Sequence, residues 1–217
     1  MNVVVYFLLY YIHFVSLFRL ISLGFDVNRS GFTRGHAEMR PLMQAVEFEC
    51  LELMEVLLSH GAETEPPDVE TSPLQQATCN GCLSACVVLI QWGADINVRS
   101  GGSLQTLPLY FALDSCNMAI AKMLLECWCD VPMFFLLTSQ CDLIEDDDDE
   151  DGSIRTLMTR NARNTKPLSS LCRTCILTRM RTCQRTRNDV KSLPLPTKLE
   201  RFLRFEELET LKLADAF

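Results

Sequence analysis

One segment is written three times through the middle of this chain: RPLMQAVEFECLELMEVLLSHGAETE (residues 40–65), SPLQQATCNGCLSACVVLIQWGADIN (72–97) and LPLYFALDSCNMAIAKMLLECWCDVP (107–132). Each copy opens on Pro-Leu, at Pro41-Leu42, Pro73-Leu74 and Pro108-Leu109, and reaches Ala45, Ala77 or Ala112 three positions after the Leu. The openings are spaced by 32 and then 35 residues. A unit of that length cannot bury its own apolar face, so successive copies must stack into an elongated shared core. That restricts the fold class more than any other feature of the sequence.

Each unit divides into two short helices. Pro suits a first helical position, the small Ala permits close packing, and Leu57-Leu58, Leu89-Ile90 and Leu124-Leu125 supply the buried face of the second helix. Gly61 and Gly93 follow in HGAE and WGAD, where a residue without a Cβ suits a left-handed cap. The expected class is all-α, a repeat solenoid followed by a small helical module.

Over roughly residues 20–132 this pattern resembles the ankyrin-repeat family, whose unit is a helix pair followed by an extended turn. Leu42, Ala45, Gly61, Leu74, Ala77, Gly93, Leu109 and Ala112 are the structural positions that the resemblance marks. The family's Thr-Pro-Leu-His opening is replaced by RPLM, SPLQ and LPLY, so the bracing bonds of Thr and His are expected to be missing. Trp128-Cys129 stands where Gly93-Ala94 does, which predicts an altered cap in the third unit. LISLGFDVN (20–28) reads as the tail of a further repeat, with Gly24 matching Gly61.

The apolar stretch 1–18 has two readings, a packed edge of the stack or a membrane-contacting segment, of which the second is less favoured. The first Arg is Arg19, no small-x-small cleavage site is evident, and a bilayer span needs about 20 apolar residues. Charge separates two modules. The 217 residues carry a formal charge of −8, but residues 1–151 hold 6 basic and 22 acidic side chains, whereas 152–217 hold 14 basic and 6 acidic. An acidic stack argues against phosphate-backbone binding, and no nucleic-acid partner is expected. Eleven cysteines, an odd number, many in apolar helical runs, fit a reduced compartment better than a disulfide framework. The acidic run from Glu145 to Asp151 lacks the alternating ligand spacing of a Ca²⁺ loop and reads as a solvated linker.

Beyond that run, PLSSLCRTCILTRM (167–180) places Leu168, Leu171, Cys172, Cys175 and Ile176 along one helical stripe that needs a partner, with Arg173, Arg179 and Arg181 as a positive rim. SLPLPTKLERFLRFEEL (192–208) begins with a proline-bracketed extended segment and becomes amphipathic, Leu199, Phe202 and Leu203 sharing a face. Pro167-Leu168-x-x-x-Cys172-x-x-x-Ile176 is similar to the elongin-C-binding box of SOCS-box proteins, and Leu193-Pro194-Leu195-Pro196 to their cullin box. The whole chain thus resembles the ankyrin-repeat and SOCS-box family. The expected domains are an incomplete repeat or alternative apolar N-terminus (1–28), ankyrin repeats (29–132), an acidic linker and irregular or helical connection (133–166), the SOCS box (167–208) and a tail (209–217).

The resemblance implies a non-catalytic substrate adaptor of a cullin-RING ubiquitin ligase. Pro167, Leu168, Leu171, Cys172 and Ile176 would meet elongin C, itself paired with elongin B. Leu193 to Pro196, Leu199 and Phe202 would meet cullin-5 with its RING subunit, and the repeats would hold a protein substrate. The competing reading is an ankyrin interaction module outside any ligase, a shortened form with impaired substrate binding. A cytoplasmic location, with the nucleus as a second compartment, accompanies the first reading.

Catalysis and cofactors find little support. Cys79-x-x-Cys82 with Cys86, and Cys172-x-x-Cys175, imitate zinc or redox spacing, but the first lacks a well-placed fourth ligand and the second belongs to the apolar stripe. His13, His36 and His60 show no nucleophile and base arrangement, and Gly101-Gly102 suits a loop without phosphate. No cofactor or metal is expected.

Overall fold

Proline stands at the start of three helices: α1 (Pro41–Glu47), α3 (Pro73–Asn80) and α5 (Pro108–Asp114). Its missing N–H has no partner to lose there, and its fixed φ is already helical. Each is followed by a second helix, α2 (Leu51–Ser59), α4 (Leu83–Gln91) and α6 (Met118–Glu126). The computed structural model describes residues 23–24, 26–29, 39–65, 71–99, 106–131, 154–164, 166–182, 190 and 193–208. The apolar stretch 1–18 and the acidic run from Glu145 to Asp151 lie outside the described residues.

The repeated alanines close the turn inside each pair. Ala45, Ala77 and Ala112 are fully buried, and their carbonyls accept from Cys50 N (2.9 Å), Cys82 N (3.1 Å) and Asn117 N (2.8 Å), the residues that open the second helices. The chain reverses through a left-handed residue just before each of these, Glu49, Gly81 and Cys116. Only Gly81 adopts that conformation without a Cβ penalty, and a Cβ there would meet Asn117 Nδ2 at 2.9 Å.

Second helices end alike in all three units. Ala62 N donates to Leu57 O (3.0 Å), Ala94 N to Leu89 O (3.0 Å) and Cys129 N to Leu124 O (3.2 Å), with Gly61, Gly93 and Trp128 left-handed before them. The expectation of an altered third cap is therefore corrected: Trp128 keeps the geometry at φ 61° despite its side chain. Its indole lies beneath the Arg160 guanidinium, 4.7 Å from the ring centroid, so the strained residue also holds the next helix.

Helices of like kind stack in register. α1 packs on α3 and α3 on α5 in one layer, while α2 packs on α4 and α4 on α6 in the other. α4, the middle second helix, is buried along its whole length. A side-chain ladder joins the extended turns: Asn28 Oδ1 accepts from Glu63 N (2.8 Å), Glu65 Oε1 from Asp95 N (2.9 Å) and Asn97 Oδ1 from Asp130 N (2.6 Å). Asn28 also donates to Gly61 O, and Val27 joins the core, so residues 26–28 take the place of the preceding unit's turn.

Bracing expected to be missing is present in the second unit. Ser72 Oγ accepts from Gln75 N (3.2 Å) while Gln75 Oε1 accepts from Ser72 N (2.7 Å), a reciprocal cap at the start of α3. Gln75 Nε2 then donates across to the carbonyl of Thr106 in the next turn. Ser and Gln thus supply the two functions that the changed opening was expected to lose.

The segment between stack and tail contains α7 (Ile154–Arg163), which packs on α6. Ile154, Leu157 and Met158 are buried in the common core, and Asn161 Nδ2 donates to Leu125 O at 2.8 Å. The C-terminal part of the expected 133–166 connection is therefore a layer of the stack, with its basic residues facing outward or sideways. Two further helices follow, α8 (Leu168–Thr182) and α9 (Thr197–Leu203), then a 3-10 turn, Glu206–Leu208. The described residues contain no strand, in agreement with the all-α expectation.

Candidate docking surface of the C-terminal helices

Helix α8 is folded with its apolar side outward. Leu168 is 77% exposed, Leu171 45% and Ile176 40%, and Cys172 and Cys175 are exposed as well. Pro167 precedes the helix, its carbonyl accepting from Leu171 N at 3.1 Å. The inward side carries Leu177, which packs against the stack, and an arginine. In a monomeric helix bound to a core, this polarity is the reverse of what burial would select.

Arg173 is that arginine, and it corrects the expectation of a positive rim. Only 8% of it is exposed. Its guanidinium lies 3.6 Å from the Phe202 ring centroid and 4.0 Å from that of Phe205, and it bonds Glu207 Oε1. Delocalised, weakly hydrated charge makes arginine the one basic side chain suited to stacking in such a seam. Arg179 does lie on the exposed side.

Phe205 carries the connection from the seam into the repeats. It is buried, left-handed at φ 51°, and its carbonyl accepts from the buried Gln91 side chain at 3.3 Å. A bulky residue at positive φ is uncommon, and here burial of the ring and the bond to α4 hold it there. Phe205 and Leu208 both belong to the core that begins at Val27, so the tail and stack share one apolar interior. Sequence reasoning missed both Arg173 and Phe205. The single available signal was RFEEL immediately after α9, whose Glu207 pairs with Arg173.

The second motif folds against the first. Leu193 N donates to Val190 O (3.1 Å) and Leu195 N to Leu193 O (2.7 Å), after which Pro196, with φ −57° and ψ 139°, directs the chain into α9. Between α8 and this segment runs an open apolar groove of about 640 Å³, lined by Cys172 and Ile176 on one wall and Leu193, Leu195, Pro196, Leu199 and Phe202 on the other. Pro194 and Pro196 are exposed, Leu193 and Leu195 half-buried, Leu199 50% exposed. Phe202 is half-buried under Arg173, which makes it a wall of the seam as well as of the groove.

Cysteine chemistry divides by location. Cys127, in the seam near Arg173 and Glu207, has its thiol pushed up to about 12, chiefly by burial. Burial also raises Cys129 strongly, and Cys50 and Cys79 are raised for the same reason. Cys86 is buried against Thr78 Oγ1 at 3.7 Å, and Cys79 is exposed, so the Cys79, Cys82, Cys86 set does not converge on one point of the surface.

Comparison with known proteins agrees with this geometry. The ankyrin-repeat profile, in three copies, matches residues 10–100, and the SOCS box profile matches residues 164–204. The chain is an ankyrin-repeat and SOCS-box protein. The first match starts ahead of the first full unit, and the third helix pair, α5 and α6, extends the stack beyond its end. The SOCS box match takes in α8, the groove and α9, whereas Phe205 and Leu208, which tie the SOCS box to the repeats, follow it. Ankyrin repeats are protein-interaction repeats, and a SOCS box is a docking element for elongin B/C and cullin-type partners. An ankyrin repeat protein of fowlpox virus (strain NVSL) is 34% identical over 87 residues, 40% of this chain, which spans only 20% of that protein's length.

Proposed function

We propose that this chain is a substrate-recognition adaptor of an elongin B/C, cullin-5 and RING ubiquitin ligase, bringing a protein held by its ankyrin repeats to ubiquitination and proteasomal degradation. The observation that carries the reading is the outward apolar stripe of α8, Leu168 to Ile176, held to the stack by an inward arginine. Elongin C covers the stripe, Leu168 acting as its central anchor, and elongin B comes with it. Cullin-5 and its RING subunit meet the edge formed by Leu193 to Pro196 and Leu199. Ubiquitin transfer belongs to the recruited subunits; this chain contributes proximity and orientation and works in the cytoplasm and nucleus.

Co-purification tests the assignment. Leu168→Asp abolishes recovery of elongin B and C and leaves the melting temperature within about 2 °C of the parent, because the side chain is mostly in solvent. Retained recovery by this variant, or none by the parent chain, overturns the assignment. Changing Pro194 and Pro196 together to Ala weakens cullin-5 recruitment while elongin recovery persists; loss of both, or of neither, removes the cullin-5 part.

A further inference from the structure

Cys172 and Cys175 lie one helical turn apart, both exposed, in the middle of the stripe, and Cys172 also forms part of the groove wall. Residues i and i+3 of a helix have Cα atoms about 5 Å apart, within the separation of about 4.4–6.8 Å that a disulfide spans, but Cβ atoms about 5–6 Å apart, beyond the usual ~3.5–4.5 Å, so closing the bond distorts this turn of α8. No acidic residue occurs anywhere from Ile154 to Thr182, and basic residues are frequent there, so the helix attracts anionic reagents. Buried thiols elsewhere offer no comparable access: Cys86 and Cys129 are enclosed in the core. We propose that Cys172 and Cys175 form a thiol–disulfide switch that takes a small anionic disulfide of the glutathione class and, when oxidised, closes the docking face.

The chemistry balances in two steps. A Cys172 thiolate attacks one sulfur of oxidised glutathione; the S–S bond of the reagent breaks, a mixed disulfide forms, and one glutathione thiolate leaves and takes up the proton that Cys172 released. The Cys175 thiolate then attacks Cys172 Sγ, expels the second glutathione and leaves a bond within the helix. Either product disables the face. The mixed disulfide places a charged tripeptide over Leu168, Leu171 and the groove, and the internal bond draws two side chains out of the apolar stripe.

This inference rests on the docking reading above, and its test keeps the two apart. Full-length protein, reduced and then treated with oxidised glutathione, is digested with trypsin, which places Cys172 and Cys175 on separate peptides by cleaving after Arg173. The expected result is a glutathionyl group on Cys172 followed by a disulfide joining the two peptides, with Cys129 unmodified. Recovery of elongin B/C falls by roughly tenfold or more, as expected for a change at the centre of an interface, and dithiothreitol restores it. Cys175→Ser stops the reaction at the mixed disulfide and still loses docking. Oxidised protein that binds undiminished, or modification confined to Cys79 and Cys116, overturns the switch. Reduced protein that fails to bind overturns the docking reading and the switch with it.

Discussion

Arg173 shows how one side chain sets the polarity of an entire helix. Stacked on Phe202 and Phe205, it satisfies the inward side of α8 with charge, which frees the leucines for the outside. Its ion pair reaches a half-exposed Glu207 and contributes little; the ring contacts dominate. Arg173→Ala therefore loosens the seam by about 2 kcal/mol, read as a roughly thirtyfold loss of amide protection in α9 while α4 is unchanged. This residue was not legible beforehand because an Arg among apolar neighbours reads by default as a solvated rim. Only tertiary contact with rings some thirty positions away reveals the other role. The repeated Pro, Leu, Ala and Gly positions were legible because each answers to local geometry alone.

Cys127 gives the residue scale a pH dependence. Its thiol titrates near 9.0 when unfolded and is pushed up to about 12 in the fold. A raised folded value means that the unfolded chain ionises first, so the contribution is intact below pH 9 and is lost as pH climbs toward 12. Urea titrations of the parent and Cys127→Ala should differ by an amount that shifts against the parent across that window, by at most about 4 kcal/mol. A constant difference from pH 8 to 11.5 would contradict the burial of this thiol beneath the seam.

Among elements, α7 adds a layer to the stack within a segment that the sequence marked as an acidic linker and irregular or helical connection. Ile154, Leu157 and Met158, with the small Ala162, share one face of a helix whose other positions are polar or basic, a short amphipathic pattern overshadowed in the sequence by the acidic run before it. The structure shows that they close the open side of α6, with the Arg160–Trp128 and Asn161–Leu125 contacts side by side in the C-terminal half of α7. Met158 is fully enclosed, and Met158→Ala should cost about 2–5 kcal/mol, measured by urea unfolding, with the larger loss if the cavity cannot collapse. The tail helices behave differently. α8 was readable as a stripe with a missing partner, and its exposed large apolar residues, Leu168, Leu171 and Ile176, are among those that the motif marks. The groove between α8 and α9 was not, because two motifs separated by some twenty residues meet only once the chain turns at Leu193 to Pro196.

At the scale of the molecule, the ladder of Asn28, Glu65 and Asn97 makes the stack a chain of nearest-neighbour couplings. Asn97→Ala leaves Asp130 N without its acceptor and should cost about 1–2 kcal/mol. The loss should concentrate in the third unit, where hydrogen exchange of α5 and α6 rises ahead of α1 and α2. Uniform exchange across all three pairs would mean that the units are not separately coupled. Charge division, the opening motifs and the repeat spacing all indicated two modules, and the structure joins them through a shared core at α7, Phe205 and Leu208 and through the bond from Gln91 to Phe205.

That bond turns the solenoid into a ruler. Because the C-terminal helices are braced on α4 and not hung from a tether, a substrate held by the repeats as proposed would stand at a reach fixed by the number of helix layers between. One added or deleted unit would move the grip by about 8–10 Å, the spacing of packed helices. Which lysines of a cargo come within range of a charged ubiquitin carrier would then be written in the repeat number, much as the jaws of a calliper are set by the position of its slide.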